Sequence, residues 1–131
     1  MTAPVKILRL YANEAGLSCF DFKEIERELT PFAPPATPFP VSEPAAASRF
    51  VLLQLPVGWK GERHQSPARQ LLFCLAGSVR VIPGVGESVV VNVGDAWLME
   101  DTTGAGHETE VISPQPFEAV VIQLAEGLAI P

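Results

Sequence analysis

The sequence predicts an all-β domain built as a sandwich or barrel, and three observations carry that prediction. Short apolar stretches recur from Arg49 onward, at 49–57, 62–66, 69–76, 78–82, 88–93, 96–100, 107–113 and 117–124. Turn chemistry separates several of them, at Gly77-Ser78, Pro83-Gly84-Val85-Gly86 and Asn92-Val93-Gly94-Asp95. No helix-length pattern with the helical period follows residue 30, and no internal repeat of solenoid length occurs. Many short, evenly spaced strands pack as two sheets or close as a barrel.

The elements before Arg49 are less uniform. Val5–Leu10 is a short apolar strand candidate. Ser18–Leu29 begins as a strand with Ser-Cys-Phe-Asp-Phe and turns charged over Lys23–Glu28, where a short helix competes with it. Pro31–Pro44 holds Pro31, Pro34, Pro35, Pro38, Pro40 and Pro44. Proline fixes φ and removes a donor, so this segment is extended and is no central strand. Phe32, Phe39 and Val41 offer side chains to bury, which favours an ordered strap over a disordered linker. The chain therefore divides into residues 1–46, strands and a proline-rich strap packing on a barrel, and residues 47–131, the barrel itself.

Alternation assigns faces within the barrel. In 107–111, His107, Thr109 and Val111 point inward while Glu108 and Glu110 take the wet face. Along 70–76 both faces are apolar, Gln70, Leu72, Cys74 and Ala76 against Leu71, Phe73 and Leu75. Strand 49–57 is similar, with Val51, Leu53, Leu55 and Val57 opposite Phe50 and Leu52. Such strands are expected to be buried on both sides, and a second apolar face suggests a homodimer interface.

With 131 residues, 47% hydrophobic and 18% charged, the chain is long enough for one domain with a real core. The net charge of −6 and the lack of a basic cluster argue against nucleic acid and against an anionic membrane surface. No run approaches membrane-spanning length and no signal-peptide pattern opens the sequence, so the expected location is the cytoplasm. Cys19 and Cys74 sit among hydrophobic neighbours, which fits two thiols in a reducing compartment better than a disulfide.

The two histidines, His64 and His107, each stand in a glycine-framed segment. Imidazole is a favoured ligand of transition metals, and a barrel site needs ligands converging from different strands. The first segment reads Gly58-x5-His64-x-Ser66-x3-Gln70-x6-Gly77 and the second runs through Gly94, Thr102, Gly104, His107 and Val111. These segments resemble the two motifs of the cupin superfamily, over about residues 47–125. Ser66 stands where the family has its second histidine, Gln70 where it has glutamate, Thr102 in the proline slot and Val111 in the asparagine slot; the second motif is also two residues longer. The phrases around His64–Gln70 and Glu100–His107 look like a group of small bacterial cupins. The resemblance implies a double-stranded β-helix, the cupin or jelly-roll barrel, often dimeric, with any site in the barrel mouth.

On this reading a small-molecule pocket is lined by His64, Gln70 and His107, with Ser66, Trp59 and Thr109 as further ligand-binding residues. His64, His107 and Gln70 are the candidate ligands of a divalent transition metal, zinc, nickel, iron or manganese. The expected activity is metal-assisted oxidation, isomerisation or lyase chemistry on a small polar metabolite, and the alternative is a binding or sensing module without metal. Plainer roles stand beside each residue. Gln70 satisfies buried polar groups, Ser66 before Pro67 forms a turn, and Trp59 and Trp97 pack. Arg69 faces away from Gln70, either solvated or paired, or else anchors a carboxylate. Glu100 and Asp101 form a solvated turn or supply an acceptor that orients a histidine.

Overall fold

The structure is a computed structural model and describes residues 3–125, so the end of the barrel segment expected over 47–131 lies outside the described residues. Twelve strands run in chain order: β1 (Val5–Ala12), β2 (Ser18–Ile25), β3 (Glu28–Thr30), β4 (Phe39–Val41), β5 (Ala47–Leu55), β6 (Lys60–His64), β7 (Gln70–Ala76), β8 (Val79–Ile82), β9 (Val89–Val91), β10 (Ala96–Glu100), β11 (His107–Val111) and β12 (Phe117–Leu124). No helix occurs among the described residues.

Strands β5 to β12 form the barrel. One sheet has the order β2-β1-β10-β7-β12-β5 and the other β6-β11-β8-β9. Apart from the β8–β9 hairpin, successive strands from β5 on alternate between the sheets, which is the double-sheet jelly roll. β1 joins the larger sheet by running parallel to β10, Leu8 beside Trp97 and Leu10 beside Met99, and β2 extends it antiparallel. Between the sheets lies the main core, with Leu10, Leu72, Val79, Val81, Val91, Phe117 and Val121. Each comes from the inward half of a period-two pattern, as the alternation requires.

The short helix entertained over Lys23–Glu28 does not form, because β2 continues to Ile25. Its whole length pairs with β1, Lys6 opposite Glu24 and Val5 opposite Ile25, and Ile25 is buried with Ile7. Ladder hydrogen bonds and one buried side chain outweigh a local run of charge.

The proline-rich segment is ordered. β3 and β4 pair as a two-stranded sheet of their own, Leu29 opposite Pro40, and a hairpin of this kind has only edge strands, where proline is tolerated. Phe32 and Phe39 touch edge-on with centroids 6.0 Å apart, yet both remain exposed in the single chain.

Burial on both faces of β5 and β7 is not met within one chain. The inward residues Gln70, Leu72 and Cys74 of β7 are buried, whereas on β5 Leu53 and Leu55 are half-buried and Val51 is exposed. On the outer face Phe50 and Leu52 are 67% and 74% exposed, and Phe73 and Leu75 are exposed beside them. A small second core, Ile7, Ile25, Leu98 and Leu124, closes only the other part of that outer face. No described element reaches the rest.

Candidate functional site

The pairing of β6 with β11 builds the site. His107 lies directly opposite His64, and the register then shifts so that Thr109 faces Gly61. That bulge gives β6 an extra residue beside the histidines, a common device for aiming a side chain. The approach of the strands depends on Gly106. Its φ is +79°, and a Cβ there would collide with the His64 carbonyl. Ser18, fully buried, donates to the Gly106 carbonyl at 2.7 Å and accepts from Gly84 N at 2.8 Å, tying the turn into β1–β2. The sequence reading missed Ser18; a small polar residue opening an apolar strand was its only trace.

Both rings present the same nitrogen. His64 Nδ1 lies 2.6 Å from the Glu62 carbonyl oxygen, and His107 Nδ1 lies 2.5 Å from Asp101 Oδ2. A carbonyl only accepts, and so does a carboxylate, so each Nδ1 carries the proton and donates it. Nε2 of each neutral ring is left with its lone pair. The ring centroids are 4.8 Å apart, tilted by 50°.

Asp101 is completely buried and also accepts from Ser66 Oγ at 2.7 Å, while Ser66 N donates to the Asp101 carbonyl at 3.1 Å. Of the two readings of Asp101, the structure therefore has the orienting acceptor, and Ser66 acts through it from behind His107. The order Ser66–Asp101–His107 leaves the hydroxyl on the carboxylate rather than on the imidazole, so Ser66 is no activated nucleophile.

A cavity of about 150 Å³ between the sheets is lined by His64, His107, Gln70, Thr109, Trp59 and Trp97, with apolar walls from Leu72, Met99 and Val121 among others. The structure thus brings together every residue expected at the pocket except Ser66. Larger grooves of about 820 and 550 Å³ flank the β3–β4 hairpin, but no histidine or cysteine lines them. Within the barrel cavity, Gln70 Oε1 accepts from Gln123 Nε2 at 3.3 Å and Gln70 Nε2 meets Met99 Sδ at 3.5 Å. The Trp59 ring lies over Gly61, where any Cβ would strike it. Trp97 stands edge-on to His107, centroids 5.4 Å apart, and its buried Nε1 has no hydrogen-bond partner. Met99 was not foreseen, although it shares the inward alternation of Trp97 on β10.

Besides Asp101, a chain of ion pairs lies on the outer face behind this site. Arg69 pairs with Glu100 at 2.5 Å, Glu100 with Arg9 at 2.7 Å, and Arg9 with Asp21 at 2.8 Å. Burial pushes the Glu100 carboxyl up, but the hydrogen bonds from Arg9 and Arg69 and their charges overcome it and hold the group below its ordinary value. Cys74 is a core residue whose thiol is pushed up by burial, and both cysteines are free.

The donor set fits part of a metal site. With imidazole–metal bonds of about 2.0–2.1 Å, two rings sharing one ion at an angle of about 100° have centroids roughly 5 Å apart, as His64 and His107 do. No group of three His, Cys, Asp or Glu that could hold an ion exists among the described residues. Gln70 is in the cavity, but its oxygen already accepts from Gln123. Two corners of a metal site are present, and the anionic corner is not.

No family model matches the chain, and no curated protein matches it. Among solved structures it is similar to protein NMB1881 from Neisseria meningitidis, at 21% identity over 58% of this chain and 72% of that one, with a TM-score of 0.46. It is also similar to a Cupin 2 conserved barrel domain protein from Salinispora arenicola, at 11% identity over 89% and 82%, TM-score 0.49. A third is the cupin domain of Cnp3 from Schizosaccharomyces pombe, at 9% identity over 95% and 86%, TM-score 0.47. The fold is a cupin-type jelly-roll barrel, set by the strand order of β5–β12, and both histidines line its cavity.

Proposed function

We propose that this chain is a cupin-type small-molecule-binding protein whose ligand occupies the His64–His107 cavity. One observation carries the reading: two imidazoles from adjacent strands, each with Nδ1 held by an oxygen, converge in an apolar chamber. Apolar walls with a few convergent polar groups are the ordinary make-up of a ligand site. A cavity of about 150 Å³ has room for a molecule about the size of benzene, so the ligand, or the part of it that enters, is compact. Its apolar body lies against Leu72 and Val121, and a donor on it meets Nε2 of His64 or His107. His107, oriented by Asp101, is also placed to take a proton from it.

A metal-dependent enzyme is the second reading, favoured by the 4.8 Å approach of the rings. Nε2 of His64 and His107 would hold a divalent zinc, nickel, iron or manganese ion, with Gln70 beside them. Such an ion supplies Lewis acidity toward a carbonyl or similar oxygen, as oxidation, isomerisation or lyase chemistry on a small polar metabolite would use.

Both readings are tested on untagged protein purified without chelator, by native mass spectrometry and elemental analysis. A bound organic mass lost in His64→Ala and His107→Ala supports the ligand site, and a stoichiometric metal lost in the same variants supports the second reading. A ligand or metal indifferent to both substitutions overturns them.

We also place the chain in the cytoplasm as a homodimer. Two free thiols support the location. Among the described residues no helix is long and apolar enough to cross a membrane. The exposed apolar face of β5, β12 and β7 supports the second copy, its area falling in two rows, Phe50–Ile122–Leu71 and Leu52–Val120–Phe73.

A further inference from the structure

We infer that the ion suited to this pair of histidines is monovalent copper, with the Met99 thioether as its third donor. This rests on the reading of the His64–His107 cavity as the functional site, and it departs from a divalent occupant.

Charge is the first argument. The groups available around the cavity are neutral: two imidazole nitrogens, the Gln70 amide, the Thr109 hydroxyl and the Met99 sulfur. No cluster of three His, Cys, Asp or Glu exists among the described residues to neutralise a dication. The carboxylate that bears on the site is Asp101, held on the far side of His107. A monovalent ion balances that single negative charge, whereas a divalent ion leaves one positive charge unbalanced where the exposed His64 meets the apolar walls of the cavity. The cost of desolvating an ion rises with the square of its charge, so a dication costs about four times as much as a monocation of equal size.

Ligand softness is the second argument. Thioether and imidazole donors suit copper(I), while carboxylate and water suit the harder divalent ions. Met99 is 5% exposed and forms part of the cavity wall. Its sulfur meets the Gln70 amide at 3.5 Å, a weak contact that leaves a lone pair for a metal. Copper(I) is also satisfied by two or three donors, the number this cavity offers. The binding is a ligand exchange in which no electron is transferred, so no oxidant or reductant enters it.

The test is anaerobic titration of the metal-free full chain with copper(I) against a colorimetric copper(I) chelator, and with zinc(II) against a zinc indicator. One equivalent of copper(I) is expected, held about a hundredfold or more tightly than zinc(II). Met99→Leu keeps the volume of the side chain; it is expected to weaken copper(I) about tenfold and to leave zinc(II) unchanged. X-ray absorption of the copper(I) protein is expected to show two nitrogen scatterers and one sulfur, the sulfur lost in the variant. Should Met99→Leu misfold, the wild-type absorption spectrum decides the sulfur by itself. Zinc(II) bound as tightly as copper(I), no copper(I) equivalent, or a spectrum without sulfur overturns the inference. In those cases a compact ligand still dependent on His64 and His107 leaves the site reading standing; indifference to both histidine substitutions removes that reading as well.

Discussion

Asp101 decides the state of His107. It accepts from Nδ1 of the ring and from Ser66 Oγ in a fully buried position, so the imidazole is fixed both in orientation and in tautomer. In nitrogen NMR spectra taken with both imidazoles neutral, both histidines are expected as the Nδ1–H tautomer. Asp101→Asn offers an amide that can donate as well as accept, so His107 is expected to shift toward Nε2–H while His64 is unaffected; an unchanged His107 pattern would show that Asp101 does not set it. Ser66→Ala leaves one lone pair of that carboxylate without its donor and is expected to lower unfolding stability by about 1–2 kcal/mol in a denaturant titration. Much of this was readable in advance. Imidazoles at 64 and 107 and an acidic residue near the second were visible in the sequence, including the option that Asp101 orients a histidine. The partnership of Ser66 with Asp101 was not, because 35 positions separate them and only the turn after β10 brings them together.

Glu100, one residue earlier, points to the opposite face and behaves differently. Its folded carboxyl titrates below its ordinary 4.5, so the folded state binds fewer protons there than the unfolded chain. The resulting stability is present above the ordinary value and is lost as pH falls through the lower folded one. Acid titration of stability is therefore expected to be shallower in Glu100→Gln than in the parent. Equal slopes below pH 4.5 would sink this assignment.

At the scale of the element, the β6–β11 ladder is what makes a site from two distant residues. The His107–His64 register and the following bulge set the separation of the rings, and Gly106 permits it. Gly106→Ala places a methyl group against the His64 carbonyl at a positive φ and is expected to cost about 2–4 kcal/mol, with matching disturbance of both histidine signals. A thermal melt unchanged from the parent would refute that role. Alternation identified the inward face of β11 correctly, because burial on one side imposes period two, and it left the two apolar faces of β7 undistinguished. It was silent on β2, where pairing with β1 prevailed over a charged run, and on the strap, where prolines form a separate hairpin.

For the molecule as a whole, the unresolved balance is the outer face of the larger sheet. One part is closed by Ile7, Ile25, Leu98 and Leu124, and the other leaves Phe50, Leu52, Phe73 and Leu75 to solvent. A contiguous apolar area on a sheet that also ends in the edge strand β5 is unusual for a monomer. Light scattering at micromolar concentration is expected to give a dimer, and Leu52→Lys, which leaves the cavity untouched, a monomer of unchanged fold. A monomeric parent would defeat the proposed interface.

The sequence by itself determined the fold class, the places of most barrel strands along the chain and the two imidazoles that line the cavity, because each leaves a local mark: a period, a turn residue, a glycine-framed histidine. Tertiary structure alone decided what those imidazoles present and what surrounds them. Tautomers depend on acceptors brought in by loops, the neutral donor set depends on which strands adjoin, and Met99 enters only because β10 lies beside β7. Such facts arise from contacts between residues far apart along the chain, and no local pattern encodes them.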